Sequence, residues 1–221
     1  MRKLILLALL FSPMLARAQG SAVPVDQEAA HKVVLKNEYV EVMHVTIAPG
    51  QNTMLHAHSH DRVAVNLSES TVNEDVPGKK PPKTMVTSAG SVSVHACAKQ
   101  DCTHRVHNRG KTTFEALDIE LLKRPAGPAA SPVTTPAAES RSFRVYRWAL
   151  APGDSTQEHT HSRPYLIIAA TPMRLLMKSP DGRSMEHLAK AGDFHWIDSK
   201  VTHILTNNGK ESGVIIEVEL Q

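Results

Sequence analysis

The stretch APGQNTMLHAH at residues 48–58 returns as APGDSTQEHTH at residues 151–161, 103 positions later. Both copies open with Ala-Pro-Gly and close with two histidines separated by one residue. Self-similarity of this kind indicates an architecture built from copies of one unit, so it governs how every local pattern is interpreted. The repeat predicts two similar domains in tandem.

A second pair of segments supports the same organisation. THRVHNRGK at residues 103–111 matches THILTNNGK at residues 202–210, so each copy has a His followed four residues later by Asn. Near the end of each copy, apolar and acidic residues alternate over Leu117–Leu121 and Ile216–Leu220. Alternation with period two predicts a half-buried strand in each copy.

Short runs rich in β-branched residues separate clusters of turn-forming residues. No long stretch keeps a helical period, although Met185–Lys190 could form one helical turn or a strand. We therefore predict an all-β fold, closed as barrels or sandwiches. The clearest runs are Tyr39–Ile47, Arg62–Leu67, Met85–His95, Phe143–Leu150 and Tyr165–Ala169.

The chain divides into four segments. Residues 1–18 have a basic start, an apolar run and a small-residue cleavage site, as in an export signal. A transmembrane anchor is the competing interpretation, but about twelve apolar residues are fewer than the roughly twenty that span a bilayer. A proline-rich linker at residues 124–138 separates an N-terminal domain, 19–123, from a C-terminal domain, 139–221.

Charge restricts the class of partner. Removal of the signal takes away Arg2, Lys3 and Arg17, which leaves 22 basic against 22 acidic residues. A neutral chain without a basic stripe does not indicate nucleic-acid binding. We expect a small-molecule partner, a secreted or periplasmic location with no membrane association after cleavage, and a monomer or homodimer.

Cys97 and Cys102 are the two cysteines of the chain. Export would place them in an oxidising compartment, where a disulfide persists. We expect them to pair. Two free thiols acting as metal ligands are the alternative.

Two histidines at i and i+2 of a strand point to the same side, so each H-x-H pair can converge on one point. A third histidine from another strand would complete a site that leaves positions open for water or substrate. Such a set suits iron, manganese, zinc, nickel or copper. The alternative is that the pairs lie on solvated strands. The candidate ligands are His56, His58 and His104 in the first copy, and His159, His161 and His203 in the second.

These motifs resemble those of the cupin superfamily, whose first motif is Gly, five residues, then H-x-H, and whose second ends in His, three residues, Asn. In the second copy Gly192, His203 and Asn207 hold the family's spacing, although Asp198 and Lys200 replace the usual Pro and Gly. The resemblance implies a bicupin, with two jelly-roll β-barrels of the double-stranded β-helix type. In the first copy the second motif is three residues longer. The extra length contains both cysteines, so their loop should border the site.

One departure from the family concerns a carboxylate. Cupins often have Glu three or four residues after H-x-H, whereas this chain has Arg62-Val63 and Tyr165-Leu166 there. The resemblance therefore implies that neither copy has the usual fourth ligand. An ion on three histidines alone keeps its full charge and favours an anionic substrate group.

Arg62, His60 and Tyr165 are the candidate catalytic residues. If the strand continued past His58, His60 and Arg62 would share its histidine face, and Arg62 could bind a substrate carboxylate. A turn after His58 would instead send Arg62 to solvent. Tyr165 and His60 are also candidate proton donors or acceptors.

Three functions fit these residues. The first is a metal-dependent oxidoreductase, similar to the cupin dioxygenases, acting on a small anionic molecule. The second is a non-catalytic module that binds a small ligand. The third is a metal-dependent isomerase or lyase. The resemblance does not choose among them, because this fold hosts many activities.

Overall fold

The computed structural model describes residues 21–127, 131–132, 134–198 and 200–221. The predicted signal at residues 1–18 lies outside these ranges, as does part of the predicted linker. Within them, the one helix is a single 3-10 turn, Val25–Gln27. None of the helices in the described ranges has the length and apolar character needed to cross a bilayer.

The described residues form nineteen strands, and the all-β prediction is confirmed. The strands are β1 Val23–Pro24, β2 His31–Lys36, β3 Val40–Ile47, β4 His56–His58, β5 Arg62–Asn66, β6 Ser70–Asp75, β7 Lys83–Thr87, β8 Val92–His95, β9 Cys102–Asn108, β10 Phe114–Leu121, β11 Ala138–Glu139, β12 Phe143–Leu150, β13 His159–His161, β14 Tyr165–Ala169, β15 Met173–Lys178, β16 Ser184–Ala189, β17 Phe194–Ile197, β18 Val201–Asn207 and β19 Gly213–Leu220.

Each half of the chain forms two facing sheets, as expected of a jelly-roll barrel. In the N-terminal barrel the strand orders are β1-β4-β9-β6-β7 and β2-β3-β10-β5-β8. In the C-terminal barrel they are β11-β12-β19-β14-β17 and β13-β18-β15-β16. The repeat in the sequence is therefore a repeat of topology, with β4, β9 and β10 equivalent to β13, β18 and β19.

The predicted single run Met85–His95 is wrong as one strand. β7 pairs with β6 and β8 pairs with β5, so the run is split between two sheets. The turn between them contains Gly90, whose φ of +76° favours glycine. A Cβ at Gly90 would also lie 2.5 Å from a side-chain carbon of Val214, so this turn packs closely against the other barrel.

The prediction of half-buried strands near the end of each copy is also wrong, because both faces of β10 and β19 are buried. Their apolar faces form one hydrophobic cluster that joins the barrels and includes Ile119 and Val218. Their acidic faces point into the barrels, where Asp118 and Glu217 are 3% and 0% exposed. On these two strands the apolar residues therefore lie at the interface between the barrels, and the acidic residues lie in the polar interior of their own barrel.

Candidate metal centres

Three strands of the C-terminal barrel bring four possible metal ligands together. β13 carries His159 and His161, β18 carries His203 directly across from His159, and β19 carries Glu217. We call these four residues the C-cluster. The Glu217 carboxylate lies 3.0 Å from Nε2 of His159, 3.1 Å from Nε2 of His161 and 3.0 Å from Nε2 of His203.

Those separations fit a common ion. Ligands at right angles around an ion with bonds of about 2.1 Å are about 3 Å apart. Nε2 of His161 and Oε1 of Glu217 are buried and make no hydrogen bond within the described residues, although they lie 3.1 Å apart. The ligand atoms of all four residues lie within 4.8 Å of one another. The C-cluster therefore fits a divalent metal.

Neighbouring groups orient the C-cluster rings. Nδ1 of His159 lies 2.9 Å from the backbone oxygen of Gln157, and Nδ1 of His203 lies 3.4 Å from the hydroxyl of Tyr165. The Tyr165 ring also stacks on His161, with centroids 4.0 Å apart. Partners at Nδ1 leave Nε2 as the ligating nitrogen. Burial raises the pKa of the Tyr165 hydroxyl, so it acts as a neutral support for His203.

The carboxylate and the histidines of the C-cluster stabilise each other's charged forms. Burial alone would raise the pKa of Glu217, but the three histidines around it hold that pKa well below its usual range. Burial alone would lower the pKa of His161, but the carboxylates of Glu217 and Glu219 outweigh it and raise the pKa to about 9. A metal ion binding here would therefore displace a proton from His161 at neutral pH.

The N-terminal barrel contains a second histidine group. β4 carries His56 and His58, and β9 carries His104 directly across from His56. Nε2 of His104 lies 3.2 Å from Nε2 of His58. His31 on β2 joins them, because its ligand atom and those of His56 and His58 all lie within 4.8 Å of one another. We call these four histidines the N-cluster.

Every N-cluster histidine has an oxygen partner at Nδ1. The partner of His56 is the backbone oxygen of Met54, at 3.0 Å. The other partners are carboxylates at 2.7 to 2.9 Å: Glu28 for His31, Glu120 for His58 and Glu74 for His104. Carboxylates in this position typically orient histidine ligands and increase their basicity. The arrangement directs the Nε2 atoms away from these partners. Nε2 of His56 is buried without a hydrogen-bond partner in the described chain. His104 lies outside the set of His31, His56 and His58 whose ligand atoms are all within 4.8 Å of one another, and it joins that set through the 3.2 Å contact with His58.

Burial keeps part of the N-cluster uncharged. It lowers the pKa of His56 to about 3 and lowers that of His58 further. The hydrogen bond from His104 lowers the pKa of Glu74 to about 2, so this carboxylate is ionised at neutral pH. Burial, together with the charge of Asp118, raises the pKa of Glu120 to about 7. Neutral imidazole is the form that binds metals, so His56 and His58 are ready to ligate.

The structure corrects the interpretation that a turn sends Arg62 to solvent. The Arg62 side chain is buried, its Nη1 lies 2.6 Å from Oδ2 of Asp118, and it lines two cavities beside the N-cluster. A turn after His58 takes His60 off the histidine face. His60 is 40% exposed at its side chain and lies 3.0 Å from Glu120. His60 is therefore not placed as the extended-strand interpretation predicts, and the binding of a substrate carboxylate by Arg62 stays a prediction.

The two barrels differ in their cavities. In the N-terminal barrel, a cavity of about 210 Å³ is lined in part by His31, His104 and Arg62, so it reaches the N-cluster. A cavity of about 230 Å³ in the C-terminal barrel has a mostly apolar lining that includes Ile167 and Ile215. These residues lie two positions from Tyr165 and Glu217 on the same strands, so this cavity reaches the layer next to the C-cluster.

No family model matches the chain. It is 28% identical to the beta-alanine degradation protein BauB of Pseudomonas aeruginosa over 89 residues. This aligned segment covers 40% of this chain and 93% of that protein. A cupin 2 conserved barrel domain protein from Leptotrichia buccalis aligns with a TM-score of 0.51 and 10% identity, over 86% of this chain and 88% of that one. Oxalate decarboxylase from Bacillus subtilis aligns with a TM-score of 0.52 and 14% identity, over 83% of this chain and 69% of that one. These structures show that the chain has the fold of a two-barrel cupin.

The expected disulfide is present between Cys97 and Cys102. Cys102 begins β9, two residues before His104, and lines a second cavity of about 390 Å³ that also touches His104 and Glu74. The loop that the disulfide closes therefore borders the N-cluster, as its position in the sequence predicts.

Sequence reasoning missed two residues of the clusters, His31 and Glu217. His31 lies outside the repeat, so no spacing rule could assign it. Glu217 lies within the repeat, but its alternation with apolar residues reads as an exposed acidic face. The expectation that both copies lack a carboxylate is wrong for the C-terminal barrel, because β19 places Glu217 among the histidines. The signal that could have found it is its alignment with Asp118 at the same distance from the second motif.

Proposed function

We propose that this bicupin is a metal-dependent oxidoreductase that acts on a small organic anion, with a divalent transition metal in each cluster. The observation that carries the proposal is that each barrel brings possible metal ligands together. The ligand atoms of His159, His161, His203 and Glu217 lie within 4.8 Å of one another, and so do those of His31, His56 and His58. Oriented imidazoles of this kind are typical of metal sites.

The donor atoms restrict the metal. Imidazole suits zinc, copper, iron and nickel, and a carboxylate extends the choice toward manganese. The Bacillus subtilis oxalate decarboxylase, which shares the fold, has Mn(II) centres, and this supports a divalent ion. When bound, such an ion would supply Lewis acidity and, if redox-active, electron transfer.

Substrate would meet the N-cluster, because its cavity reaches the histidines. Around this cavity Arg62 and Lys83 are matched in number by Glu74 and Asp118. The carboxylates at Nδ1 would offset part of the charge of an ion held by these imidazoles. Because they stand behind the rings and do not bind the ion, part of its positive charge would remain for a substrate group. An anionic group, such as a carboxylate, is the substrate chemistry that this charge favours.

His95 is a candidate for moving a proton near that substrate. It lines both cavities beside the N-cluster, and its Nε2 lies 3.1 Å from the hydroxyl of Ser93. Burial lowers the pKa of His95, so the ring is neutral at pH 7 and can accept a proton. Sequence reasoning did not select it, because it has no neighbour at ligand spacing.

Export is part of the proposal. The features of residues 1–18 predict a signal peptide, and the Cys97–Cys102 disulfide supports an oxidising compartment. Mass spectrometry of the protein recovered from the producing cells would show a mature N-terminus near Gln19. A chain that still begins at Met1 would contradict export by cleavage.

Metal analysis tests the function. The chain is purified without chelator, alongside the triple variants His56/His58/His104→Ala and His159/His161/His203→Ala. We expect each triple variant to lose one metal equivalent. Oxygen uptake with a panel of small carboxylates should be abolished in the first variant. Oxygen uptake that is unchanged in both variants would contradict an oxidoreductase centred on these histidines.

A binding role is the second candidate for the C-terminal barrel, because its cluster is enclosed and its cavity is mostly apolar. In that case a ligand would raise the thermal stability of the chain without turnover. Product formation that depends on His159 would exclude a purely binding role.

A further inference from the structure

His31 comes from a segment that the C-terminal barrel does not repeat. It begins β2 and is 7% exposed, and its ring centroid lies 4.7 Å from that of His56. Glu28 fixes it in place. One carboxylate oxygen of Glu28 lies 2.8 Å from Nδ1 of His31 and accepts the backbone N–H of Ala30, while the other accepts the N–H of Met54. A histidine buried and oriented in this way against His56 is placed as a ligand.

The N-terminal barrel has an acidic residue at the position equivalent to Glu217, but its side chain is held away from the histidines. Asp118 occupies the β10 position equivalent to Glu217 on β19, but its side chain is one carbon shorter. Arg62 donates to Asp118 at 2.6 Å, and both side chains are buried. In the C-terminal barrel the position of Arg62 is taken by Tyr165, which has no positive charge and leaves Glu217 free to face the histidines.

We propose that the N-terminal barrel contains a four-histidine metal site in which His31 is the fourth ligand, and that Arg62 keeps Asp118 out of it. This deepens the proposed function and rests on it, since both require a metal in the N-cluster. The two barrels then present different ligand sets, four imidazoles in one and three imidazoles with a carboxylate in the other.

The fourth ligand ties the start of the described chain to the metal. β1 pairs in parallel with β4, and Val23 lies opposite His56. The 3-10 turn Val25–Gln27 and Glu28 follow, and then His31 enters the N-cluster. A bound ion would therefore join this arm, residues 23–31, to the floor of the barrel. Metal binding and the ordering of residues 23–31 would then be coupled.

Zinc binding to the whole chain tests the proposal, with His31→Gln as the variant and Lys32→Gln as the matched control. Lys32 is the next residue of β2 and is exposed. Trp148 donates to Glu217 at 2.7 Å, so its fluorescence reports filling of the C-cluster separately. Loss of a ligand should weaken zinc binding in the N-cluster by about 100-fold or more, since loss of a supporting group alone costs 10–100-fold. The control should bind as the unmodified chain does.

Hydrogen–deuterium exchange of the unmodified chain gives a second measurement, which does not depend on how the variant folds. Zinc should slow exchange of amides in residues 23–36 by about tenfold or more, in proportion to the stabilisation that binding supplies. Addition of zinc to His31→Gln should leave those amides unchanged.

Two results would overturn the proposal, and they are distinguishable. If His56→Ala removes one zinc but His31→Gln binds two with unchanged affinity and arm exchange does not respond, then the N-cluster is a three-histidine site and the proposed function survives. If the unmodified chain binds one zinc and His56→Ala does not alter this, the N-cluster holds no metal and the proposed function fails with the inference.

Discussion

The two barrels share their topology and the spacing of three histidines, yet they surround those histidines differently. In the C-cluster a buried glutamate lies among the rings, and a tyrosine supports one of them. In the N-cluster the equivalent acid is paired with Arg62, and carboxylates stand behind the rings, at Nδ1, rather than among them. The repeat places the imidazoles at equivalent positions in both barrels, and the equivalent positions at which the two copies carry different residues decide what charge the imidazoles meet.

This contrast separates two functions of an acidic side chain. Glu217 faces the Nε2 atoms and would neutralise part of a metal's charge. Glu74 and Glu120 contact Nδ1 atoms and orient the rings without entering the ligand set. The cavity of the N-terminal barrel reaches the N-cluster, whereas the cavity of the C-terminal barrel stops one layer short of the C-cluster. This difference favours the N-cluster as the site that a substrate reaches and the C-cluster as an enclosed metal site.

The largest expected effect comes from removing the two equivalent acids. Asp118→Ala leaves Arg62 buried without its partner, and a guanidinium cannot shed its charge, so unfolding free energy should fall by about 3–5 kcal/mol. Glu217→Ala should cost less, about 3 kcal/mol, because His161 can lose its proton. Calorimetry of the metal-free variants measures both.

The double variant Arg62→Met/Asp118→Ala is the control, and it should recover most of the loss caused by Asp118→Ala. Metal binding should distinguish the acids further, since only Glu217→Ala removes a ligand. Equal losses of metal from the two single variants would show that Asp118 also reaches the N-cluster.

A smaller effect is expected from the groups that orient the rings. Glu74→Gln, behind His104, and Tyr165→Phe, behind His203, each remove or weaken a partner at Nδ1. Each should weaken zinc binding by about 10–100-fold in its own barrel and leave the other barrel unaffected. Competition with a chelator measures the two affinities. Thr84→Ala is an exposed control in the N-terminal barrel, because its hydroxyl bonds Asn73 away from the histidines.

The smallest effect is the pH dependence of metal binding, and it should differ between barrels. His161 has a pKa of about 9, raised from an ordinary 6.5, so its ion pair stabilises the metal-free protein below pH 6.5 and is lost as pH rises through about 9. Zinc must displace that proton, so its affinity for the C-cluster should rise about tenfold per pH unit between pH 7 and pH 8.

His56, with a pKa of about 3, is already neutral there, and the acid nearest the N-cluster rings that titrates is Glu120, with a pKa of about 7. The N-cluster affinity should therefore rise less than that of the C-cluster over the same range. Calorimetric titration of His56→Ala and His159→Ala, in buffers with different ionisation enthalpies, counts the protons released by the remaining cluster. Equal proton release from both clusters would contradict the assigned difference in charge.

Much of the fold could be predicted from the sequence, because the repeat is local in each copy and strand periodicity is simple. The pairs at His56–His58 and His159–His161 form the predicted short strands, and each third histidine lies across from its partner. The resemblance to cupins and the disulfide are confirmed. The metal itself stays a prediction.

The remainder depends on contacts between distant segments. The ion pair of Arg62 with Asp118 joins residues 56 positions apart, and no spacing rule links them. The acidic residues of β10 and β19 looked solvent-exposed because their apolar neighbours face a second barrel rather than the interior of their own. His31 enters the site on an arm that one copy lacks. Each error arises where packing between units overrides the pattern of a single strand.

Anomalous diffraction from crystals of the whole chain grown with manganese and zinc together would test the central claim most directly. Four imidazoles favour zinc, and a site with a carboxylate admits manganese more readily. We expect zinc in the N-cluster, bonded to Nε2 of His31, His56, His58 and His104. We expect manganese to be enriched in the C-cluster beside Glu217. The same metal ratio in both clusters, with His31 outside bonding distance, would contradict the central claim.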